Sequence, residues 1–223
     1  MMLLAIDTST RVVGVAVYDG IQVLGEITWV SKDYHTVELA PVVVDILNRA
    51  HILPSALKVV AVATGPGSFT GLRIGLSLAK GMALARRFDL VGVPTLDVLA
   101  VAQPFVNLPM AAVLRAGRGR LAVGWYQPGT KGWKTTGKLE ILTCESLAEK
   151  INSPTLVCGE LDQEERRVLG RKRGTVTLAT PARSLRRPSF LAELAWKRWM
   201  AGQRDDPAIL APIYLHQQEP AQG

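Results

Sequence analysis

Residues 64–73 read Thr-Gly-Pro-Gly-Ser-Phe-Thr-Gly-Leu-Arg and lie between two apolar stretches of different length. The stretch before them, Leu57–Ala63, has the length of a buried strand, and the stretch after them, residues 71–87, has the length of a helix. A glycine-rich turn at this junction presents backbone amides at the start of a helix, where an anion or a closely packed neighbour can lie. The motif thus joins a strand to a helix, and with the other strands and helices along the chain it predicts an α/β or α+β fold. Whether the turn binds phosphate stays open.

The turn departs from both common phosphate-binding templates. A Walker A loop places a lysine directly after its second glycine, and none follows Gly71. The dinucleotide fingerprint requires a third glycine at the position of Thr70. Gly65, Gly67 and Ser68 nevertheless stay candidate nucleotide- or phosphate-binding residues, with Ser68 or Thr70 as the N-cap of the helix.

Two predicted helices, residues 35–50 and 71–87, are apolar on more than one side. The second carries a stripe of small residues, Gly71, Gly75, Ala79 and Ala83. A helix that is apolar nearly all round must be buried nearly all round, so we predict that one face packs on the sheet and another against a partner. Enclosure of both helices within the monomer is the alternative. The candidate interface residues, chosen from periodicity, are Leu39, Val43, Leu47, Ile74 and Leu78, with Arg73 adding polar contacts.

This interface hypothesis makes a prediction of its own. Aspartate at Leu39 or Leu47 is expected to abolish pairing with a partner without unfolding the protein.

Two parts of the chain share one pattern of apolar strand, tight polar turn, alternating strand and turn. The first copy covers residues 3–20 and the second covers residues 111–129. Such a repeat predicts two related lobes, with a boundary near Asn107 and therefore units of 1–107 and 108–223. Aligning the copies places Arg115 where the first copy has Asp7.

Composition limits the classes of protein. The chain has 223 residues, of which 48% are hydrophobic and 20% charged, so it can bury a substantial core. Its three histidines and two cysteines lack metal-ligand or redox spacing, and no Gly-x-Ser-x-Gly elbow occurs, so we expect no metal site and no catalytic constellation. Neither a signal peptide nor an unbroken membrane-spanning stretch is evident, so we expect a cytoplasmic protein that does not enter membranes.

The net charge of +7 is unevenly distributed. Residues 1–110 are neutral, whereas residues 111–223 contain 18 basic and 11 acidic side chains. A basic half can attract nucleic acid, which makes Arg115, Arg118 and Arg120 candidate RNA contacts. A solvated basic surface is the alternative.

Asp7 is a candidate metal ligand by its place in the sequence. It ends a buried strand and precedes a Thr/Ser turn, where a carboxylate could hold hydrated Mg²⁺ beside nucleotide phosphates. Capping of its own turn through local hydrogen bonds is the alternative.

Five motifs together resemble the bacterial TsaB (YeaZ) family over nearly the whole chain. They are Asp7-Thr8-Ser9-Thr10 with Gly14-Val15-Ala16-Val17, His35-Thr36-x-Glu38-Leu39-x-Pro41, Gly65 to Gly75, Gly92 to Leu96, and Pro212 to Leu215. The resemblance implies a two-lobed actin-like (ASKHA) α/β fold with duplicated mixed-sheet lobes, the first carrying the pairing helices and the second basic.

The resemblance also implies a function. The family serves as a non-catalytic scaffold in forming threonylcarbamoyladenosine at position 37 of tRNAs that read codons starting with A. Its partners are the metal-bearing paralogue TsaD, the ATPase TsaE and, through the complex, tRNA. The chain alone is expected to carry no cofactor, and its apolar pairing face could form a homodimer when TsaD is missing. With TsaD it is expected to form a heterodimer, and ATP or ADP with Mg²⁺ could bind at that interface.

Two alternatives stay open at this stage. The chain could be an active actin-fold ATPase or small-molecule kinase that uses Asp7 and the glycine turn. It could also bind tRNA directly through its basic second lobe. One departure bears on both, because the family's second hairpin reads Asp-Ala-Arg-x-Gly-Glu-Val-Tyr whereas residues 115–122 read Arg-Ala-Gly-Arg-Gly-Arg-Leu-Ala. A cation there should repel a metal and could instead attract phosphate or RNA.

Overall fold

The computed structural model describes residues 1–32, 35–130 and 132–214. Leu215 and the side chain of His35, each part of a sequence motif, lie outside the described part. In chain order the first elements are β1 (Met2–Asp7), β2 (Val12–Tyr18), β3 (Val23–Val30), α1 (His35–Arg49), β4 (Leu57–Gly65), α2 (Phe69–Arg86), β5 (Asp89–Pro94) and α3 (Thr95–Val101). The later ones are β6 (Met110–Arg115), β7 (Arg120–Gly129), β8 (Gly132–Thr143), α4 (Cys144–Lys150), β9 (Thr155–Gly159), α5 (Gln163–Gly170), β10 (Val176–Leu178) and α6 (Pro188–Met200).

The two halves of the chain form two five-stranded mixed sheets of the same topology. The first sheet has the order β3-β2-β1-β4-β5 and the second β10-β9-β6-β7-β8. In each, an antiparallel meander of three strands is extended by two parallel strands on the other side of its first strand. The parallel strands require crossover helices, which α1, α2, α4 and α5 supply. The predicted duplication of mixed-sheet lobes is confirmed.

The sheet faces correct the alignment of the two copies by one residue. Leu4 and Ile6 pack towards α1 and α2, and the equivalent outward positions of the second sheet are Ala111 and Val113. Asp7 therefore corresponds to the residue before Arg115, not to Arg115 itself. Sequence comparison missed this because a one-residue shift of a uniformly apolar strand leaves its composition unchanged while reversing its faces.

The division into residues 1–107 and 108–223 also needs correction. The boundary falls in the loop between α3 and β6, but α6 packs back on the first sheet through Leu191 and Ala195. The segment after α6 does the same, with the Ile213 amide donating to the Thr64 carbonyl at 2.7 Å. Conversely, Leu99 of α3 packs in the core of the second sheet. Val98 of the same helix packs on the first sheet, so α3 contacts both lobes and α6 returns to the first, which a linear boundary cannot describe.

Burial decides the chemistry of both cysteines. It raises the pKa of the Cys144 thiol to about 11 and that of Cys158 to about 12. Both thiols are neutral at physiological pH.

None of the helices within the described residues is long and apolar enough to cross a bilayer.

Candidate functional site

The glycine turn packs on the hairpin turn that follows β1. A Cβ atom at Gly67 would lie 2.2 Å from the Ser9 carbonyl oxygen, and one at Gly71 would lie 2.2 Å from that of Thr8. Two hydrogen bonds hold the turns together: the Ser68 amide donates to the Ser9 carbonyl at 2.6 Å, and the Thr8 hydroxyl donates to the Gly71 carbonyl at 2.7 Å. Only glycine permits this approach of the two backbones.

Several amides of the turn already have partners within the protein. Ser68 is the N-cap of α2, and its hydroxyl accepts from the Gly71 amide at 3.2 Å. The Gly65 amide donates to the Thr95 hydroxyl at 3.0 Å. Together with the Ser68 amide, these are donors that a phosphate would otherwise use.

The small-residue stripe of α2 faces the interior of its own lobe. All four of its residues are buried, and a Cβ atom at Gly75 would lie 2.2 Å from the Thr8 hydroxyl. The element that the stripe admits is therefore the β1–β2 hairpin of the same chain.

Asp7 lies at the end of β1 with 1% of its surface exposed. Its Oδ2 accepts from Arg186 Nε at 2.9 Å, and its Oδ1 accepts from the Ser9 amide at 2.8 Å. The guanidinium thus lies against the carboxylate that the sequence suggested for Mg²⁺, and the same carboxylate also caps its own turn.

Arg186 contacts both lobes. It donates to Glu160, directly after β9, to the Thr10 hydroxyl at 2.6 Å and to the Val12 carbonyl at 3.0 Å. The Thr10 hydroxyl in turn donates to Glu160 at 2.6 Å. We refer to Asp7, Thr10, Glu160 and Arg186 as the Arg186 clasp. Burial alone would lower the pKa of Arg186, but the carboxylates outweigh it and raise that pKa.

Of the four clasp residues, sequence reasoning proposed only Asp7 as a site residue. Arg186 was counted only among the basic side chains of residues 111–223, yet it is 2% exposed. It lies 179 positions from Asp7, so no local spacing could signal the pair. No group of three metal-ligating side chains is found within the described ranges.

The three arginines proposed to contact RNA have different environments. Arg115 pairs with Asp162 at 2.8 Å and with Glu165 at 2.9 Å, and the hydrogen bond to Asp162 raises its pKa. Arg118 is exposed, whereas Arg120 is half-buried, with an Nε atom that has no hydrogen-bond partner among the described residues.

The interface residues predicted on α1 are corrected by their burial. Leu39, Val43 and Leu47 are 2%, 6% and 4% exposed and pack in the core of the first lobe. Periodicity identified the buried stripe of the helix but could not distinguish a core from an interface, because both require apolar residues at the same spacing. On α2, Ile74 and Leu78 are half-buried and Arg73 is exposed.

The outer sides of α1 and α2 nevertheless form an apolar surface. Val37, Val44, Phe69 and Leu84 are exposed by 69%, 57%, 53% and 70%. A cavity of about 500 Å³ opens on this surface, lined by Thr36, Leu39, Ala40, Phe69, Thr70, Arg73, Ile74, Ser77 and Leu78. We call this surface, with its cavity, the α1–α2 face. Exposed apolar patches of this kind mark interaction sites.

An aromatic–arginine stack lies at the rim of the α1–α2 face. The Arg73 guanidinium lies 3.7 Å from the centre of the Phe69 ring and donates to the Tyr214 hydroxyl at 2.8 Å. Tyr214 in turn stacks on Phe69 with ring centres 5.0 Å apart. Cation–π contact orders the exposed arginine in this position.

Glu26 binds the first turn of α6, and these contacts predict that the stability of the protein depends on pH. Its carboxylate accepts from the amide and hydroxyl of Ser189 at 3.1 and 2.7 Å and pairs with Arg187. Burial would raise the pKa of Glu26, but these partners lower it below its ordinary value of 4.5. The stabilisation is therefore present above pH 4.5 and lost as pH falls through the lower folded pKa. Glu26→Gln should lose about 1 kcal/mol at pH 7 and show a shallower decline in acid.

Urea denaturation at pH 7 and at pH 3 measures this difference. If the free energy of unfolding of Glu26→Gln falls between pH 7 and pH 3 as much as that of the wild type, Glu26 does not cause the acid sensitivity.

Comparison with solved structures identifies the fold. An ethanolamine utilization protein EutJ from Carboxydothermus hydrogenoformans superposes with a TM-score of 0.53 at 15% identity, over 86% of this chain and 90% of its own. The ROK hexokinase of Thermus thermophilus superposes with a TM-score of 0.52 at 9% identity, over 91% and 100% of the two chains. At these identities the likeness concerns the fold alone, the two-lobed actin-like fold.

Closer likenesses identify the family. YeaZ from Pseudomonas aeruginosa superposes with a TM-score of 0.79 at 26% identity, over 96% of this chain and 99% of its own. The Bacillus subtilis tRNA threonylcarbamoyladenosine biosynthesis protein TsaB is 35% identical over 57% of this chain and 56% of its own length. The family model described as TsaD, tRNA N6-adenosine threonylcarbamoyltransferase, matches residues 22–153, more than half of the chain. The chain belongs to the TsaB (YeaZ) family.

The extent of similarity differs between relatives. The match spans little more than half the length of the Bacillus subtilis protein, whereas an uncharacterized protein of Mycobacterium bovis is 30% identical over 95% of this chain and 90% of its own length.

Proposed function

We propose that this chain acts in the biosynthesis of threonylcarbamoyladenosine in tRNA as a non-catalytic scaffold that pairs with a TsaD subunit. The names of its relatives support the pathway, and the TsaD family model supports a paralogous partner of related fold. TsaE and tRNA join through the complex in this proposal, and any nucleotide with Mg²⁺ belongs to the partner interface.

The observation that carries the pairing role is the α1–α2 face. Its exposed Val37, Val44 and Leu84 lie on two helices whose opposite sides already fill the core of the first lobe. Burial of such side chains against a second protein contributes roughly 1.5–3 kcal/mol each. A partner helix pair that packs its own apolar stripe here would bury the whole surface in one contact.

The Arg186 clasp supports the non-catalytic assignment. In an actin-like enzyme the cleft between the lobes would receive a metal–nucleotide complex, and the acidic side chain at the end of β1 would face it. Here Asp7 is paired with a buried guanidinium, and Arg115 is neutralised by Asp162 and Glu165. These contacts favour neither an ATPase nor an RNA-binding alternative.

Aspartate substitutions on the exposed side of α1 and α2 test the pairing. Val44→Asp and Leu84→Asp should each weaken binding of TsaD from the same organism by roughly thirtyfold or more, because an unpaired carboxylate would be buried in the apolar contact. Ile21→Asp, at a residue 86% exposed outside this face, is the matched control and should bind like the wild type.

Titration calorimetry of purified proteins supplies the affinities, and circular dichroism establishes that each variant is folded. Wild-type affinity in both Val44→Asp and Leu84→Asp would exclude the α1–α2 face as the pairing surface.

A further inference from the structure

We propose that Arg186 is a positioning residue. From its buried position between the lobes it sets the start of α2, and with it the rim of the α1–α2 face. The partner half of this inference rests on the proposed function. The structural half, the link from Arg186 to α2, is independent of it.

The first link joins Arg186 to the end of β1. The guanidinium is 2% exposed and donates to groups of three segments: Asp7, the Thr10–Val12 turn and Glu160. A planar guanidinium fork fixes direction as well as distance. The position of the turn after β1 is thereby tied to the second lobe.

The second link joins that turn to α2. Asp7 accepts from the Ser9 amide, and the Ser9 carbonyl accepts from the Ser68 amide at 2.6 Å. The Thr8 hydroxyl donates to the Gly71 carbonyl at 2.7 Å, within the first turn of α2. The two backbones are so close that a Cβ atom at Gly71 would lie 2.2 Å from the Thr8 carbonyl oxygen. Because they are in direct contact, a displacement of one must displace the other.

The third link joins the start of α2 to the surface. Phe69 is the first residue of the helix, and Arg73 follows one turn later. Their stack with Tyr214 forms the rim of the cavity. A shift of the turn after β1 would therefore also shift Phe69 and Arg73, which line the cavity of the α1–α2 face.

A buried ion pair is not the most stable way to fill such a site, since well-packed apolar side chains often stabilise as much. Its value lies in directional contacts that select one arrangement of the lobes. Substitution of the ion pair should therefore affect stability and positioning differently.

The experiment compares four proteins: wild type, Arg186→Ala, the double variant Asp7→Asn with Arg186→Met, and Arg115→Ala as an exposed ion-pair control. Arg186→Ala leaves the buried carboxylate of Asp7 unpaired and should lower the Tm. Millimolar guanidinium, which can pair with that carboxylate in place of the missing side chain, should raise the Tm again. The double variant removes the buried Asp7 charge and leaves Glu160 with its hydrogen bond from Thr10, so it should regain part of the Tm. It should still exchange the Ser68 and Gly71 amide hydrogens faster and bind TsaD more weakly, each by roughly tenfold. Arg115→Ala should match the wild type in all three measurements.

Unchanged exchange at Ser68 and Gly71 in the double variant would overturn the link to α2. Wild-type affinity for TsaD in that variant would overturn the positioning role. If the wild-type chain itself fails to bind TsaD, the proposed function is wrong, and the exchange rates alone decide whether Arg186 positions α2.

Discussion

Replacing Leu47 with aspartate is expected to unfold the protein. The leucine is 4% exposed and packs with Ile46 and the strands of the first sheet in one apolar cluster. The substitution loses about 2 kcal/mol of apolar burial and adds several kcal/mol for an unpaired buried carboxylate. The sum, about 5 kcal/mol or more, is comparable to the whole stability of a typical domain.

Val44→Asp is the matched comparison, since it introduces the same charge on the same helix three residues away. Val44 is 57% exposed, so its replacement should change the free energy of unfolding by no more than about 0.5 kcal/mol. Circular dichroism with urea titration measures both. Similar stability of the two variants would contradict the orientation of α1 described here. It would instead agree with the sequence-based prediction that aspartate at Leu47 spares the fold.

Gly71→Ala is expected to be the most damaging replacement of a glycine by alanine in α2. The added methyl group would lie 2.2 Å from the Thr8 carbonyl oxygen, a backbone atom that cannot rotate away. Alanine ordinarily favours a helix by up to about 1 kcal/mol over glycine, but overpacking should reverse this to a net loss of about 3 kcal/mol.

Gly81→Ala in the same helix supplies the control. Nothing lies within 4 Å of a Cβ atom at that position, so the substitution should stabilise by roughly 0.5–1 kcal/mol. Thermal unfolding of the two variants beside the wild type shows the contrast. A stabilising Gly71→Ala would mean that the turn after β1 does not contact α2 as described.

The positions of most helices and strands could be predicted from local sequence. Helix 35–50 is observed as His35–Arg49 and helix 71–87 as Phe69–Arg86, because capping residues and apolar periodicity are local signals. The short helix Thr95–Val101 was missed, since it lies in a run of apolar residues broken only later by prolines. The candidate site was harder to predict from the sequence. Asp7 was identified as a site residue, but its partner Arg186 lies 179 positions away in the chain.

The glycine turn illustrates what the sequence determined and what depended on the tertiary structure. By itself the sequence determined that a strand, a glycine-rich turn and a helix follow one another, since these depend on neighbouring residues. It also determined that two lobes repeat one pattern, and that α1 and α2 carry more apolar surface than a single core stripe. Only the tertiary structure decided that the glycines admit Thr8 and Ser9, that Leu47 faces inward while Val44 faces outward, and that a guanidinium pairs with Asp7. Those outcomes depend on contacts between distant segments, and the chain encodes them only through the packing of the whole fold.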